Sequence, residues 1–181
     1  MKVSQTDLNE VLVLEYEANT DNRGTSSHVS SKRELEEAWI LTDFVEETSY
    51  QILKSGTIYG IHFQNNPQAQ TKLLFCTKGR VLDFAVDLRR ASSTYREWVC
   101  VELSPENRKQ LYIPAGFGHA LLTLEECSIV NMKIDKYFHP SLSASVSYSD
   151  TGLHIDFGIA DPVLSESDAN APTLLESGCN L

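Results

Sequence analysis

The chain has 181 residues, 41% of them hydrophobic and 22% charged, enough for one domain with a substantial core and too few for two ordinary ones. Its formal net charge of -10 argues against a nucleic-acid partner, whose phosphates need clustered Lys and Arg, and no apolar run reaches the roughly 20 residues that span a bilayer. Residues 1–10 carry Asp7, Asn9 and Glu10 where a signal peptide would have its apolar core, so the expectation is a cytoplasmic protein with no membrane contact.

Taken in chain order, the one clear helical stretch is 31–39, SKRELEEAW, with Ser31 as N-cap and Glu34 three residues later as in a capping box. After Thr42 the pattern turns to β. Runs rich in Val, Ile, Leu, Phe and Tyr occupy 72–77, 81–87, 97–103, 110–113, 119–124 and 128–134, spaced as in a sandwich or barrel. Lys78-Gly79 and Ser104-Pro105-Glu106-Asn107 read as turns between them. Ala85-Val86-Asp87-Leu88 and the run from Trp98 to Leu103 alternate apolar and polar, which predicts one buried face. The tail at 161–172, broken by Pro and small polar residues, is expected to cross the surface and end in a helical turn or two. No strand–helix alternation and no Gly-rich phosphate loop is present. The reading is therefore all-β, a single jelly-roll or cupin barrel over 1–181 with short peripheral helices. The four cysteines lack metal-ligand spacing, and three sit in apolar or strand-like contexts that suit buried packing. Lys32-Arg33 and Arg89-Arg90 read as solvated surface charges.

Two segments carry the chemistry. One is Gly56-Thr-Ile-Tyr-Gly-Ile-His62-Phe-Gln64, followed by Lys72 and Gly79; the other is Pro114-Ala-Gly116-Phe-Gly-His119. They resemble the two cupin motifs, in which a His-x-His pair, a Glu and a last His hold a metal. Here Gln64 replaces the second His of the pair and Lys72 stands near the place of the Glu. A transition metal needs several imidazoles and a carboxylate, whereas this set offers two His, a weak amide and a repelling ammonium. The expectation is no metal and no cofactor. A neutral His facing a Lys in a dry pocket suits proton abstraction beside a carbonyl, with the ammonium stabilising the enolate oxygen.

Further pieces occur in order: Gly79-Arg-Val-Leu-Asp83-Phe-Ala-Val-Asp87-Leu-Arg89, Glu102-Leu-Ser-Pro-Glu-Asn107, Ile113-Pro-Ala-Gly-Phe-Gly-His119 and Leu164-Ser-Glu-Ser-Asp168. With the motifs above they make the chain similar, from 14 to 172, to the nucleotide-sugar 3,5-epimerases of the cupin superfamily. The resemblance implies a jelly-roll homodimer with exchanged strands, acting on a nucleoside-diphosphate 4-keto-6-deoxy sugar in deoxysugar biosynthesis for cell-surface polysaccharide. It implies that His62 is the general base, paired with Asp168, and that Lys72 steadies the 4-keto oxygen. Arg23 would hold the diphosphate, Gln64 and His119 would line the pocket, and Tyr137 or Phe138 would stack on the base. Glu47 and Ser49 fall at substrate-contacting positions.

The departures from that pattern are specific. Tyr59 stands where the family carries an Arg, Thr25-Ser-Ser-His28 replaces an aromatic run, and Met132 occupies the position of the family's general-acid Tyr. A thioether cannot deliver a proton. Tyr50 is the preferred substitute and Tyr59 the second. Strict alternation turns Tyr50 away from a pocket that Ser49 faces, so a bulge is expected to bring it in. The altered 25–28 segment and Tyr59 suggest a base or sugar other than that of the rhamnose pathway. Two other outcomes fit the same residues, a 3,4-ketoisomerase and a catalytically weak sugar-nucleotide-binding protein. Asp168 on its own would read as part of a helix N-cap, and His119 as a remnant of the cupin motif.

Overall fold

Strands of period two, buried on alternating or on both faces, organise the computed structural model, which describes residues 1–181. In chain order they are β1 (Lys2–Gln5), β2 (Leu12–Glu15), β3 (Ala18–Asp21), β4 (Gly24–Ser27), β5 (Glu46–Ile52), β6 (Ile58–Gln64) and β7 (Lys72–Lys78). There follow β8 (Val81–Asp87), β9 (Trp98–Leu103), β10 (Lys109–Ile113), β11 (Phe117–Thr123), β12 (Ser128–Ile134) and β13 (Ser143–Ser145). Two short helices, α1 (Lys32–Glu37) and α2 (Glu166–Ala169), lie at the periphery. One sheet has the order β1-β2-β10-β7-β12-β5 and the other β13-β6-β11-β8-β9. All pairings within them are antiparallel. The architecture is the expected jelly roll. No helix is long and apolar enough to cross a membrane.

The space between the sheets is filled by Leu74, Cys76, Leu111, Ile113 and Val130 from the first and Val81, Ala85, Val99, Leu103, Phe117 and Leu121 from the second. Each sheet also buries part of its outer face. Phe84, Val86, Ala120 and Leu122 pack under the C-terminal segment through Val146, Leu153, Phe157 and Leu174. On the other side Leu14 and Leu73 pack against Leu35 and Ile40 beside α1. This corrects the expectation of one buried face for 85–88, because every residue of that run is buried. Strand β9, at the sheet edge, keeps the alternation.

Other local expectations shift for physical reasons. The Ser31 side chain makes no cap hydrogen bond; Glu34 instead faces the N-terminal ammonium at 3.8 Å, so the capping box does not close. Arg89 is not a solvated charge. Its guanidinium forks onto the buried Asp87 carboxylate at 2.9 and 2.8 Å, also meets Glu10, and lies over the Phe117 ring. Cys76 and Cys179 are buried, but Cys100 is exposed on the edge strand. The hairpin β3–β4, bearing Arg23 at its turn, pairs with no other strand of the chain.

Candidate active site

A cavity of about 440 Å3 opens between the sheets. It is lined by Tyr59, His62 and Gln64 of β6, Lys72 and Leu74 of β7, His119 and Leu121 of β11, Met132 of β12 and Tyr50 of β5. Tyr59 and His62 are three residues apart and could not share a face of a regular strand. The register supplies the missing step, since His62 pairs with His119 but Tyr59 pairs with Leu121, a bulge of one residue on β6. Gly60 occupies the bulge at φ 118°, and a Cβ there would stand 2.5 Å from the His119 carbonyl oxygen. Only glycine fits so close a backbone approach.

His62 Nε2 lies 2.6 Å from Asp168 Oδ1. Asp168 is 3% exposed at the start of α2, while the His62 side chain keeps 40% of its surface open toward the cavity. Ser165 is the N-cap of that helix, accepting from the Asp168 N–H and donating to Oδ2, both at 3.0 Å. The local cap and the long-range pair therefore coexist, the cap fixing the carboxylate that faces His62. Burial pushes the Asp168 carboxyl up, but the hydrogen bond and charge of His62, with Ser165 and the Gly60 main chain, outweigh it and hold it below its ordinary value.

Lys72 is 5% exposed, and its Nζ donates to the His62 carbonyl at 3.2 Å. Burial lowers its pKa to about 8, and the negative charge of Asp83 opposes that fall. Asp83, wholly buried in the middle of β8, also approaches His119 Nε2 to 2.9 Å. The approach is off the line of a good hydrogen bond, and neither Asp83 oxygen nor His119 Nε2 has a well-aligned partner. His119 is itself depressed, first by burial, with Asp83 opposing and Lys72 and His62 reinforcing. Asp83 was not among the sequence candidates. Its signal was a carboxylate at the barrel-facing register between Val81 and Ala85.

Tyr50 and Tyr59 meet edge to face, ring centroids 5.9 Å apart. Among the tyrosines only Tyr112 has a hydroxyl hydrogen bond within the chain, to Thr42. Burial, then Tyr59 and Glu46, raise the Tyr50 pKa. Met132 lines the same space. No bulge was needed to turn Tyr50 inward: β5 pairs with β12 in unbroken register, and Thr48, Tyr50 and Ile52 are its more buried side. The expectation that Ser49 faces the cavity is thereby corrected. Ser49 and Glu47 lie on the exposed side of β5, and Glu47 is 3.9 Å from Lys133.

Both candidate aromatics are largely exposed, Phe138 at 59% and Tyr137 at 68%, and of the two only Phe138 borders the cavity. Arg23 is exposed on its hairpin and folds back on Asp21 at 2.6 Å. Gln64 borders the cavity, but its amide is engaged by backbone groups. Of the would-be metal donors, His62 is turned to Asp168 and His119 to Asp83. No group of three or more His, Cys, Asp or Glu side chains is arranged to hold a metal ion.

Comparison with known proteins bears on the family and the fold. The family model for dTDP-4-dehydrorhamnose 3,5-epimerase matches residues 5–176. An enzyme of that name from Salmonella typhimurium is 36% identical over 175 residues, 96% of each chain. The crystal structure of the Bacillus anthracis enzyme of that name, with TDP and PPi bound, superposes with a TM-score of 0.92 at 35% identity, covering 95% of this chain and 98% of its own. A Legionella pneumophila dTDP-6-deoxy-D-glucose-3,5-epimerase in complex with dTDP-4-keto-L-rhamnose also gives 0.92, at 33% identity, covering 97% and 93%.

Proposed function

The chain belongs to the dTDP-4-dehydrorhamnose 3,5-epimerase family and is a nucleotide-sugar epimerase, and from that premise we propose how its own residues divide the work. His62, oriented by Asp168, removes the proton at C3 of a nucleoside-diphosphate 4-keto-6-deoxy sugar. The Lys72 ammonium, kept charged by Asp83, takes up the negative charge that develops on the 4-keto oxygen. The enolate is reprotonated from the opposite face by Tyr50, whose hydroxyl has no other partner and whose ring borders the cavity beside Met132. His119 borders the sugar end as a neutral imidazole. The observation that carries this reading is the His62–Asp168 pair at 2.6 Å in the same cavity as the buried Lys72.

The names of the relatives favour dTDP as the nucleotide over the altered base that the sequence suggested. Arg23 is proposed to hold the diphosphate of a second copy's substrate. A two-stranded hairpin is marginal alone in water, and β3–β4 has no sheet of its own chain to join. The homodimer supported in this way would use Arg23 and the exposed side of β5 across its interface. Sedimentation as a monomer under assay conditions would remove that part.

The reaction is tested by incubating the protein with dTDP-4-keto-6-deoxyglucose in deuterated buffer and following the sugar protons by NMR. Deuterium at C3, with or without C5, and inversion there are expected. A carbonyl moved to C3 would instead make the protein a ketoisomerase. Binding without any exchange, for dTDP-, CDP- and GDP-linked substrates alike, would overturn the enzymatic reading of His62.

A further inference from the structure

We propose that Gln64 is a positioning residue that pins the rim of the cavity, and that the C-terminal residues around Asn180 brace that rim from behind. Gln64 stands at the end of β6 where the second metal-binding His of a cupin would stand, and it borders the cavity. Its amide is nevertheless committed elsewhere. Nε2 donates to the carbonyls of Gln68 at 2.6 Å and Tyr137 at 3.2 Å, and Oε1 accepts from the His139 N–H at 2.7 Å. Both donors and one of the two acceptor sites of an amide are thus used by main-chain groups. Two carbonyls on one side and an N–H on the other also fix which way the amide faces. At 3% exposure, leaving these groups unpaired would cost more than the net worth of the bonds.

The segment that Gln64 holds is 135–142, which carries Phe138 to the cavity mouth. The same segment is tied to 65–71 by Gln70 Nε2 to the Lys136 carbonyl at 2.8 Å, Asp135 Oδ1 accepting from the Thr71 N–H at 2.7 Å, and the Asn65 N–H to the Leu142 carbonyl at 2.8 Å. Residues 65–66 are in turn locked to the C-terminus. Asn180 Oδ1 accepts from the Asn66 N–H at 2.8 Å, and Asn65 Oδ1 accepts from the Asn180 N–H at 2.9 Å. A second pair of amide bonds, 3.1 and 3.4 Å, runs between the Asn66 and Asn180 side chains and each other's carbonyls. A continuous hydrogen-bonded strap therefore runs from the chain end through 65–71 to Phe138. None of its members other than Gln64, Gln70 and Phe138 borders the cavity.

This deepens the proposed function and rests on it, since the rim borders the cavity in which that reading seats the sugar nucleotide. The first test is independent of any ligand. Hydrogen exchange of the peptide 135–142 in the apo protein should accelerate by about tenfold or more in Gln64→Met, which keeps the length and removes the hydrogen bonds. Asn180→Ala should accelerate 65–71 first and 135–142 less. In Gln64→Met, binding of dTDP should weaken about tenfold, whereas in Asn180→Ala, which lies outside the cavity lining, deuterium wash-in at saturating substrate should stay within about threefold of wild type. Gln64→Glu, which can still accept from His139 but loses both donors, is the second variant if Gln64→Met does not fold, and should fall between. Unchanged exchange of 135–142 in these variants would overturn the strap. So would a loss of saturated wash-in larger than the loss of dTDP affinity, which would put Gln64 against the sugar. If the wild type bound no nucleotide sugar at all, the proposed function would fail while the exchange result still decided the strap.

Discussion

Along the strands the cavity has two ends that are built differently. At one end His62 pairs across β6 and β11 with His119, Lys72 lies opposite on β7, and each faces a carboxylate or a carbonyl of the chain. At the other end Tyr59 pairs with Leu121, Met132 with Leu74, and the Tyr50 and Tyr59 hydroxyls have no partner in the chain. The first end is preorganised before any substrate arrives, which is what abstraction of a weakly acidic proton needs. The second carries a thioether at Met132 and offers two phenols, neither fixed by a hydrogen bond. Under the proposed division of roles, proton removal and proton return fall to opposite ends of the cavity and should be separable by mutation.

The largest expected effect breaks the preorganised end. His62→Ala should cut solvent-deuterium wash-in by about 10²–10⁴-fold, the range for a positioned general base, with nucleotide binding within a few-fold by calorimetry. Lys72→Ala should be comparably severe. Wild-type wash-in in His62→Ala would remove that residue from the mechanism.

Next comes the other end. Tyr50→Phe should lower kcat about 10²-fold while His62-dependent deuterium exchange persists, and Tyr59→Phe should act mainly on KM. The opposite pattern would transfer the acid role to Tyr59. Full turnover in both would leave water or His62 returning the proton.

A pH profile sharpens the comparison further. In the proposed mechanism Lys72 works as the ammonium, and its pKa is lowered to about 8, so kcat/KM should fall as pH rises through about 8. Asp83 is what opposes the fall in that pKa, so Asp83→Asn should move this alkaline limb to lower pH. A limb that stays in place would mean that Asp83 does not hold the charge on Lys72.

The smallest effect concerns the bulge that puts Tyr59 and His62 on one face. Gly60→Ala forces a Cβ to 2.5 Å from the His119 carbonyl at a positive φ, which should cost about 1–3 kcal/mol of stability, read as a lower midpoint in urea. Unchanged stability would show that the β6–β11 approach can relax.

Much of the fold and part of this site could be read from the residues in order. The strands at 81–87 and 128–134 coincide with β8 and β12 to the residue, because long apolar runs bounded by turn residues leave little choice of register. The exposed strands β1, β3 and β4 were not legible, since polar runs such as Lys2–Gln5 and Gly24–Ser27 acquire strand structure only from the neighbour they pair with. The family motifs picked out His62, Lys72 and Asp168 as residue types in sequence order.

What the sequence alone determined was thus the class of barrel, the identity of the ionisable groups and the absence of a phenol at Met132. Only the tertiary structure decided which of them meet. Asp168 reaches His62 across 106 positions of sequence, through a tail whose path no local pattern dictates. Asp83 came to lie beside His119 and within reach of the Lys72 charge because β8 is buried and its side chain at 83 shares the barrel-facing side with Val81 and Ala85. Tyr50 rather than Ser49 turned inward because neighbouring residues of a strand point to opposite sides and one residue of register selects between them. That choice is made by packing between sheets, at a distance that no sequence window spans.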